Sequence, residues 1–300
     1  MSYRIGIDLG GTKTEILILA PDGAEIYRHR TPTPRLYAES VRNIVGLITE
    51  AEAQTGVTAS IGIGIPGSIS PRTGLVRNAN SNALNGHPFD RDLAAQLGRP
   101  VRVANDANCF ALSEAVDGAG AGSRVVFGLI IGTGCGAGIV VDGTLIEGRH
   151  LIGGEFGHTP LPWPKATELP LNKCWCGLTG CLETYISGTA LAVTCDGPNA
   201  RDATTIPARA AAGEARAIKA LDIHANRLAR ALALVTNLLD PDAIVLGGGL
   251  SNMAHLYEQL PTLMRPHVFS DYFAPNIVRA TYGDSSGVRG AAWLWPEQTP

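Results

Sequence analysis

RIGIDLGGTKTEILILA occupies residues 4–20, and its pattern decides the first expectation about the fold. A short run of β-branched residues ends in a glycine pair and a second apolar run follows, which predicts two strands joined by a glycine turn. VVFGLIIGTGCGAGIVV repeats this order at 125–141, about 120 residues later. An Asp-Gly turn follows each copy, at 22–23 and 142–143. This weak internal repeat predicts two domains of related topology that face one another across a cleft.

The length, composition and net charge of the chain are typical of a large globular protein. Of its 300 residues, 45% are hydrophobic and 17% are charged, and the formal net charge is −3. This length suggests about two domains with substantial cores. The chain has no long basic run, so we expect neither a nucleic-acid partner nor a membrane-surface role. No apolar run approaches the roughly 20 residues that a membrane helix needs.

The start of the sequence enters a strand pattern directly, without the features of a signal peptide. We therefore expect a cytoplasmic protein. Cytosolic thiols remain reduced, which favours a metal-binding or catalytic role over a disulfide for clustered cysteines.

Further apolar patterns predict the remaining elements. The last stretch, SSGVRGAAWLWP, is typical of a short helix with a serine cap and a proline stop. Apolar residues at steps of three and four predict a long helix with a buried stripe at 214–239. The other predictions are a helix over about 38–54 and strands at 60–67, 101–106 and 243–249.

The first glycine turn, DLGGTKTE at 8–15, has the composition of a phosphate-binding turn. Glycines let backbone N–H groups turn toward an anion, and the hydroxyl of Thr12 adds a donor. Asp8 stands at the strand end, where a carboxylate could hold Mg²⁺. A plain glycine hairpin explains the same stretch, because tight hairpin turns also favour glycine. This stretch alone does not separate the two hypotheses.

The second turn, IGTGCGAG at 131–138, contains a loose dinucleotide-binding fingerprint. That fingerprint requires a following helix, whereas a strand pattern follows here, so we predict a second phosphate-binding hairpin instead. GGGLSN at 247–252 is a third glycine turn, which leads from a strand into a helix. Three such turns, each at the end of a buried strand, favour a nucleotide site.

NDAN at 105–108 ends a buried strand and opens a helix. Asp and Asn are favoured as helix caps, which is one explanation. The other is a carboxylate at the carboxyl end of a strand, where α/β clefts bind ligands. Asp106 could there accept a proton from a hydroxyl that attacks a γ-phosphate.

KCWCGLTGCLE at 173–183 places three cysteines within eight residues, and His158 precedes them. Together, His158, Cys174, Cys176 and Cys181 match a structural zinc site in ligand type and number. Gly177 and Gly180 would supply the tight turns, and closure around the ion would hold the proline-rich loop 159–173. A C-x-C redox pair is the rival, but it leaves Cys181 and His158 without a role. Three scattered cysteines are predicted to be buried apolar residues or unpaired thiols: Cys109, Cys135 and Cys195.

These motifs together resemble the ROK family of bacterial sugar kinases and repressors. DLGGT, GIPG, NDAN, IGTGCGAG, GEFGH, CWCGLTGC followed by Glu183, and GGG occur in that order over nearly the whole chain. Within the family, GIPGSISPRTG, NANSNALNG, NDANCFALSEAVDGA and GDSSGVRGAAWLWP look most like bacterial fructokinases of the manno(fructo)kinase type.

The resemblance implies an α/β, actin-like ATPase fold with two ribonuclease H-like domains around a cleft. We expect an N-terminal domain at 1–118, a C-terminal domain at 119–285 with the zinc loop, and a helix at about 286–297 that packs back on the first domain. The implied ligands are a hexose, ATP with Mg²⁺, and a structural Zn²⁺. A homodimer is common in the family, and we expect one.

The resemblance also implies roles for single residues. Asp106 would be the general base, and His158 would serve both zinc and sugar. The implied sugar-binding residues are Asn80, Asn105, Asp106, Glu155, His158 and Glu183. The implied nucleotide-binding residues are Asp8, Gly10, Gly11, Thr12, Lys13, Gly132, Thr133, Gly134, Gly136, Gly138, Gly247, Gly248 and Gly249.

One departure from the family pattern concerns the choice of sugar. Leu151 and Gly153 stand where the family usually has Gly and Ala, in the loop that carries Glu155. The expected reaction is transfer of the γ-phosphoryl group of ATP to the 6-hydroxyl of fructose, with glucose, mannose or N-acetylglucosamine as alternatives. A sugar-sensing regulator would need a DNA-binding helix-turn-helix before the first strand, and we expect none, since only three residues precede Arg4.

Overall fold

The computed structural model describes residues 2–79 and 83–295. The strands, in chain order, are β1 (Arg4–Leu9), β2 (Lys13–Leu19), β3 (Glu25–Pro32), β4 (Ser60–Ile65), β5 (Ser68–Ile69), β6 (Val76–Arg77), β7 (Val101–Asn105), β8 (Val125–Ile131), β9 (Cys135–Val141), β10 (Thr144–Leu145), β11 (Ala243–Gly247) and β12 (Ile277–Arg279). The α-helices are α1 (Tyr37–Thr55), α2 (Phe89–Leu97), α3 (Asp106–Val116), α4 (Glu183–Ile186), α5 (Gly188–Asp196), α6 (Ile206–Ala211), α7 (Ala215–Leu239), α8 (Ala254–Met264) and α9 (Ser286–Ala292). Among the helices of these ranges, none has both the length and the apolar character that crossing a bilayer requires.

Two sheets of five strands each share one topology over the described residues. The first has the order β3-β2-β1-β4-β7 and the second the order β10-β9-β8-β11-β12. In both, an antiparallel meander of three strands continues into two parallel strands. The internal repeat predicted from the two glycine turns is thereby confirmed. The carboxyl ends of the parallel strands in a sheet lie at one edge, which is where α/β proteins bind ligands.

The core follows the predicted apolar patterns. The strands β1 and β4 are buried along nearly their whole length because helices cover the sheet. The stripe of α7 is buried at Leu228, Leu232 and Val235 and packs with Leu129 of β8. Ile218, an apolar residue that fits the same spacing, is 43% exposed, whereas its neighbour Ala217 is fully buried, so Ile218 lies outside the buried face of α7.

The helix α9 packs against both the first sheet and α3 at very short range. A Cβ atom on Gly290 would lie 1.6 Å from the carbonyl oxygen of Cys109 in α3. A Cβ atom on Gly6 in β1 would likewise lie 2.0 Å from the carbonyl oxygen of Val288. Only glycine permits such approaches of backbone to backbone. The division of the chain at residue 118 remains a proposal.

The predicted serine cap of α9 is wrong. The side chain of Ser285 makes no capping hydrogen bond and instead accepts one from Arg28 Nη1 at 2.8 Å. The next serine, Ser286, donates from its hydroxyl to the buried carboxylate of Glu114 at 2.7 Å. These long-range partners outcompete the local cap, and no sequence pattern shows them.

Candidate active site

A cavity of about 600 Å³ lies beside the carboxyl ends of β7 and β8. Its walls come from both halves of the chain. The predicted site residues that line it are Asn105, Asp106, Gly132, Thr133, Gly134, Gly136, Glu155, His158 and Glu183. The structure therefore brings the proposed base, the second glycine turn, the predicted sugar ligands and the histidine of the cysteine cluster to one place.

The sequence left two explanations for the NDAN motif, a helix cap and a catalytic carboxylate, and the structure assigns the cap to Asn105. Asn105 is the cap of α3, and its side-chain oxygen accepts from the amides of Ala107 at 2.9 Å and Asn108 at 3.4 Å. Its amide nitrogen donates to the carbonyl oxygen of Gly67 at 3.3 Å. Asp106 is the first helical residue, and its Oδ1 accepts from the amide of Ala107 at 2.8 Å. The cap explanation thus applies to Asn105, whereas the carboxylate of Asp106 lies at the wall of the cavity. Since both polar atoms of Asn105 already serve the backbone, its predicted sugar contact stays a prediction.

The electrostatics around Asp106 favour proton uptake. Burial raises the pKa of Asp106, and the negative charge of Glu155 raises it further, against the hydrogen bond from Ala107. Burial, and then the charge of Asp106, raise the pKa of Asp8 to about 7. The charge of Asp106 thus disfavours the charged form of Asp8, and a cation beside Asp8 would favour it.

The first glycine turn lies outside the lining of this cavity, as far as the described residues show. Its carbonyl groups are held by Thr33, whose hydroxyl donates to Gly10 O at 2.8 Å and whose amide donates to Thr12 O at 3.0 Å. Gly11 and Thr12 themselves are exposed. The amide groups of Gly11 and Thr12 thus lie on an exposed turn, and the predicted phosphate contacts of Gly10, Gly11, Thr12 and Lys13 stay predictions.

The second glycine turn is fixed from the side by α5. The amide of Gly188 donates to Gly132 O at 2.7 Å, and the hydroxyl of Thr189 donates to Thr133 O at 2.9 Å. These contacts hold the turn at the mouth of the cavity, as a preorganised anion site requires.

The loop that carries Glu155 has an unusual backbone at the two departures from the family pattern. Leu151 adopts φ +52°, a left-handed conformation that glycine tolerates better than leucine. At Gly153, a Cβ atom would lie 2.1 Å from the carbonyl oxygen of Ile146, so alanine does not fit there. The guanidinium of Arg77, in β6, donates to the carbonyl oxygen of His150 at 2.5 Å and ties this loop to the other half of the molecule.

Glu183 opens α4 and lies between the second glycine turn and the cysteine cluster. Its Oε2 accepts from the amide of Cys135 at 3.0 Å. Its Oε1 accepts from the indole nitrogen of Trp175 at 2.7 Å. The carboxylate is therefore oriented from two sides at the wall of the cavity.

His158, Cys174, Cys176 and Cys181 form one cluster, in which all the potential ligand atoms lie within 4.8 Å of one another. The sulfur atoms of Cys176 and Cys181 are 3.6 Å apart, far beyond a disulfide bond, and His158 Nδ1 lies 3.7 Å from Cys174 Sγ. This donor set and spacing fit a tetrahedral zinc ion, whereas the redox pair would use only two of the four residues. Gly177 and Gly180 have φ of +92° and +89°, so the predicted tight turns are confirmed.

The proline-rich loop before the cluster has a second anchor that the sequence did not reveal. Arg230 of α7, which is 1% exposed, donates to the carbonyl oxygens of Pro162 at 2.8 Å and Trp163 at 2.7 Å. It also pairs with Glu168 at 2.6 Å, and Arg227 pairs with the same carboxylate at 3.0 Å. The loop is therefore not held by the cysteine cluster alone.

A second cavity of about 590 Å³ adjoins the first at Gly132 and Thr133. It extends past Gly249 and Asn252 to Arg201. Its position beyond the second glycine turn suits the base and ribose of a nucleotide whose phosphates lie at that turn.

Three of the predicted nucleotide-binding glycines are also required by close packing, and their nucleotide contacts stay predictions. A Cβ atom on Gly247 would lie 2.4 Å from the ring of Phe110, and one on Gly138 would lie 2.6 Å from Cβ of Ala111. Gly248 similarly lies against the carbonyl oxygen of Ile131. Of the third glycine turn, Gly249 is the glycine that lines the cavity.

Other outcomes concern single residues. All six cysteines are free, and Cys109 and Cys195 are buried as predicted, while Cys135 is half-buried at the cavity wall. The predicted sugar ligand Asn80 lies outside the described residues. Sequence reasoning missed Trp175 and Arg201 as wall residues. A tryptophan between two predicted zinc ligands was the available signal for the first, and the second had none.

Comparisons with known proteins agree with this geometry. The model of the ROK family matches residues 4–298. The N-acetyl-D-glucosamine kinase of Pectobacterium atrosepticum is 41% identical over 296 residues, which cover 96% of this chain and 97% of that protein. Among solved structures, the ROK hexokinase of Thermus thermophilus has a TM-score of 0.86 at 31% identity and covers 97% of each chain.

A further solved structure adds a nucleotide complex. The ROK family glucokinase of Streptomyces griseus, in complex with glucose and AMPPNP, has a TM-score of 0.75 at 27% identity and covers 99% of this chain and 100% of that one. The expected fold, an α/β actin-like ATPase fold, is confirmed by these structures. With a family model that spans nearly its whole length and relatives of this similarity, the chain belongs to the ROK family.

Proposed function

We propose that this protein transfers the γ-phosphoryl group of ATP to the 6-hydroxyl of N-acetyl-D-glucosamine. Family membership and the similar kinases support the coarser statement, an ATP-dependent sugar kinase. The relatives at about 40% identity carry the name N-acetyl-D-glucosamine kinase, which supports this sugar among the alternatives. Fructose, the first expectation from the sequence, has no such support among them.

The observation that carries the proposal is the buried carboxylate of Asp106 at the wall of the cavity. Its neighbour Asn105 caps the helix, and burial raises the pKa of Asp106. A carboxylate with a raised pKa is a stronger proton acceptor once ionised. The sugar oxygen forms the new bond to the γ-phosphorus, the bond from that phosphorus to the bridging oxygen of ADP breaks, and the hydroxyl proton passes to Asp106.

The two wall clusters have separate tasks in this proposal. The second glycine turn, tied to α5 by Gly188, directs backbone N–H groups at the phosphates. Glu155, His158 and Glu183 line the other wall and would bind hydroxyls of the sugar. In this proposal the sugar binds between Asp106 and the cysteine cluster, and the nucleotide extends toward the second cavity.

The chain's residues fit both implied metals. Asp8, whose pKa the charge of Asp106 helps to raise, would hold the Mg²⁺ that accompanies ATP, and that ion supplies neutralisation of phosphate charge. The cluster with Cys174 would hold Zn²⁺, whose contribution is structural. His158 Nδ1 lies 3.7 Å from Cys174 Sγ, on the side of the cluster, so Nε2 would remain available for a sugar hydroxyl.

An ATP-dependent phosphorylation assay with Mg²⁺ tests the proposal. The panel is N-acetylglucosamine, glucose, mannose and fructose, and the quantity compared is kcat/KM. We expect the highest value with N-acetylglucosamine. A clear preference for fructose would restore the first expectation, and transfer to no sugar by folded, zinc-loaded protein would overturn the kinase assignment.

A further inference from the structure

Trp175 has an environment that its packing does not explain. It stands between two members of the cysteine cluster, Cys174 and Cys176, and lines the first cavity. It is 69% exposed, so its large ring contributes little to the core. A tryptophan that is held for stability is normally largely buried. An exposed indole at the wall of a cavity indicates a task at that cavity.

The hydrogen bond of its indole shows what that task is. Nε1 donates to Oε1 of Glu183 at 2.7 Å, the distance of a strong bond to a charged acceptor. The other carboxylate oxygen accepts from the amide of Cys135 at 3.0 Å. Together the two donors orient the carboxylate and leave about two of its four lone-pair sites for further donors.

The same ring also contacts His158. The two rings meet edge to face, with centroids 5.1 Å apart and an angle of 82° between their planes. Trp175 thus touches two of the side chains that line the sugar side of the cavity, while its own backbone is fixed by the cysteines on either side. Trp175 therefore connects the cysteine cluster to the side chains of Glu183 and His158.

We propose that Trp175 is a positioning residue of the sugar site: its indole N–H holds the carboxylate of Glu183 in the orientation that accepts a sugar hydroxyl. The inference rests on the proposed function, because it assigns a sugar to this wall of the cavity. A carboxylate that turns freely would have to be ordered when the sugar binds, and this loss of rotational freedom weakens binding. Because Trp175 already orients the carboxylate in the folded protein, this loss does not occur when the sugar binds.

The test compares four variants in steady-state kinetics. Trp175→Phe keeps an aromatic ring and removes the N–H donor. Trp163→Phe is the matched control, since Trp163 lies on the same loop, is 48% exposed and stacks on His267 instead. Glu183→Gln and the double variant Trp175→Phe/Glu183→Gln complete a double-mutant cycle. Zinc content is measured for each variant, so that loss of the metal is recognised.

We expect Trp175→Phe to raise the KM for the sugar about tenfold, as for loss of a hydrogen bond to a charged group. The KM for ATP and the zinc content should stay at wild-type values, and kcat should change less than the KM for the sugar. The double variant should be no worse than Glu183→Gln alone, because both changes act on one carboxylate. Trp163→Phe should match the wild type.

Two results would overturn the inference, and they differ from failure of the proposed function. If Trp175→Phe matches Trp163→Phe while the wild type phosphorylates a hexose, the kinase stands and the role of Trp175 does not. If the effects of Trp175→Phe and Glu183→Gln multiply in the double variant, Trp175 does not act through Glu183. If the wild type transfers phosphate to no hexose, the proposed function falls, and the inference falls with it.

Discussion

Asn105 caps helix α3 through its side-chain oxygen, and the carboxylate of Asp106, the next residue, lies at the wall of the cavity. Capping and catalysis often compete for the same acidic residue at the start of a helix. Here Asn105 is the last residue of β7 and Asp106 is the first residue of α3, and the asparagine forms the helix cap. This arrangement leads directly to the first two predictions.

Asp106→Asn should lower kcat by about 10²–10⁴-fold, because the amide cannot accept the hydroxyl proton. The side chains have the same shape, so the melting temperature should not fall. The measurement is turnover of the preferred sugar under saturating ATP. Asp271→Asn, a change of an exposed aspartate, is the control. Near-normal turnover of Asp106→Asn would mean that another group takes the proton.

Asn105→Ala should reduce the free energy of unfolding by about 1 kcal/mol, the usual cost of a lost helix cap. Asn105→Ser should recover most of that loss, because serine is also a good cap. Chemical denaturation of the two variants gives the comparison. Equal stability of the alanine and serine variants would show that the contact of Asn105 with Gly67, and not the cap, is what matters.

Removal of zinc should release only part of the loop between His158 and Cys181. The segment 162–168 stays held by Arg230 and its partner Glu168, so its amide protons should remain protected while those of 174–181 exchange faster. Hydrogen exchange before and after chelation measures this. Arg230→Met should have the opposite effect: the amide protons of 162–168 should exchange faster while those of 174–181 stay protected. It should also lower the free energy of unfolding by about 3 kcal/mol or more, because the buried carboxylate of Glu168 loses one partner. Uniform loss of protection on chelation would contradict the two-anchor description.

Leu151 should carry backbone strain at its φ of +52°. Leu151→Gly should therefore be more stable than Leu151→Ala by about 1 kcal/mol, because alanine keeps the left-handed penalty and glycine does not. Comparing glycine with alanine removes the effect of the lost leucine side chain. Thermal denaturation of both variants decides the point. If alanine is the more stable, the loop changes its conformation when the leucine is removed.

His224 should make the stability of the protein sensitive to acid. Burial lowers the pKa of His224 from 6.5 to about 4, and its Nε2 donates to the carbonyl oxygen of Ile186 at 2.8 Å. Its Nδ1 has no hydrogen-bond partner among the described residues, so a second proton there would be buried without an acceptor. The stability contribution is complete above pH 6.5 and is lost as the pH falls from 6.5 toward 4, at up to about 1.4 kcal/mol per pH unit.

His224→Gln is the matched variant for this prediction. Glutamine can donate to Ile186 but does not titrate in this range. The difference in free energy of unfolding between variant and wild type should therefore shift in favour of the variant as the pH is lowered from 7 to 4. Parallel curves over that range would show that His224 is not the group responsible.

Local and periodic features were the ones that the sequence predicted well. Both glycine hairpins, the helix at 214–239 and the strand that ends before Asp106 depend on residues that are close in the chain, where patterns of burial are visible. The cysteine cluster was also predictable, because three of its four ligands lie within eight residues. Short elements without a strong period, such as α2 and β12, were not predicted.

The sequence did not predict contacts between residues that are far apart in the chain. Arg230 and Glu168 are 62 residues apart, and nothing in the local composition of either indicates that they pair. Gly247 belongs to a glycine-rich turn that the sequence assigns to a nucleotide, and the sequence does not show that the ring of Phe110, on another element, also lies against it. A glycine pattern shows that something approaches the backbone closely. It does not show whether that neighbour is a ligand or a side chain.

The approach of α9 to the first sheet has a consequence for synthesis of the protein. The backbone at Gly6 is covered by residues around Val288, which the ribosome adds about 280 residues later. At about 5–20 residues per second, the surface of β1 and β4 waits for roughly 10–55 s after it emerges. During that interval the nascent chain presents an uncovered apolar sheet. The segment that carries β1 and β4 is therefore the part that a ribosome-associated chaperone would have to shield.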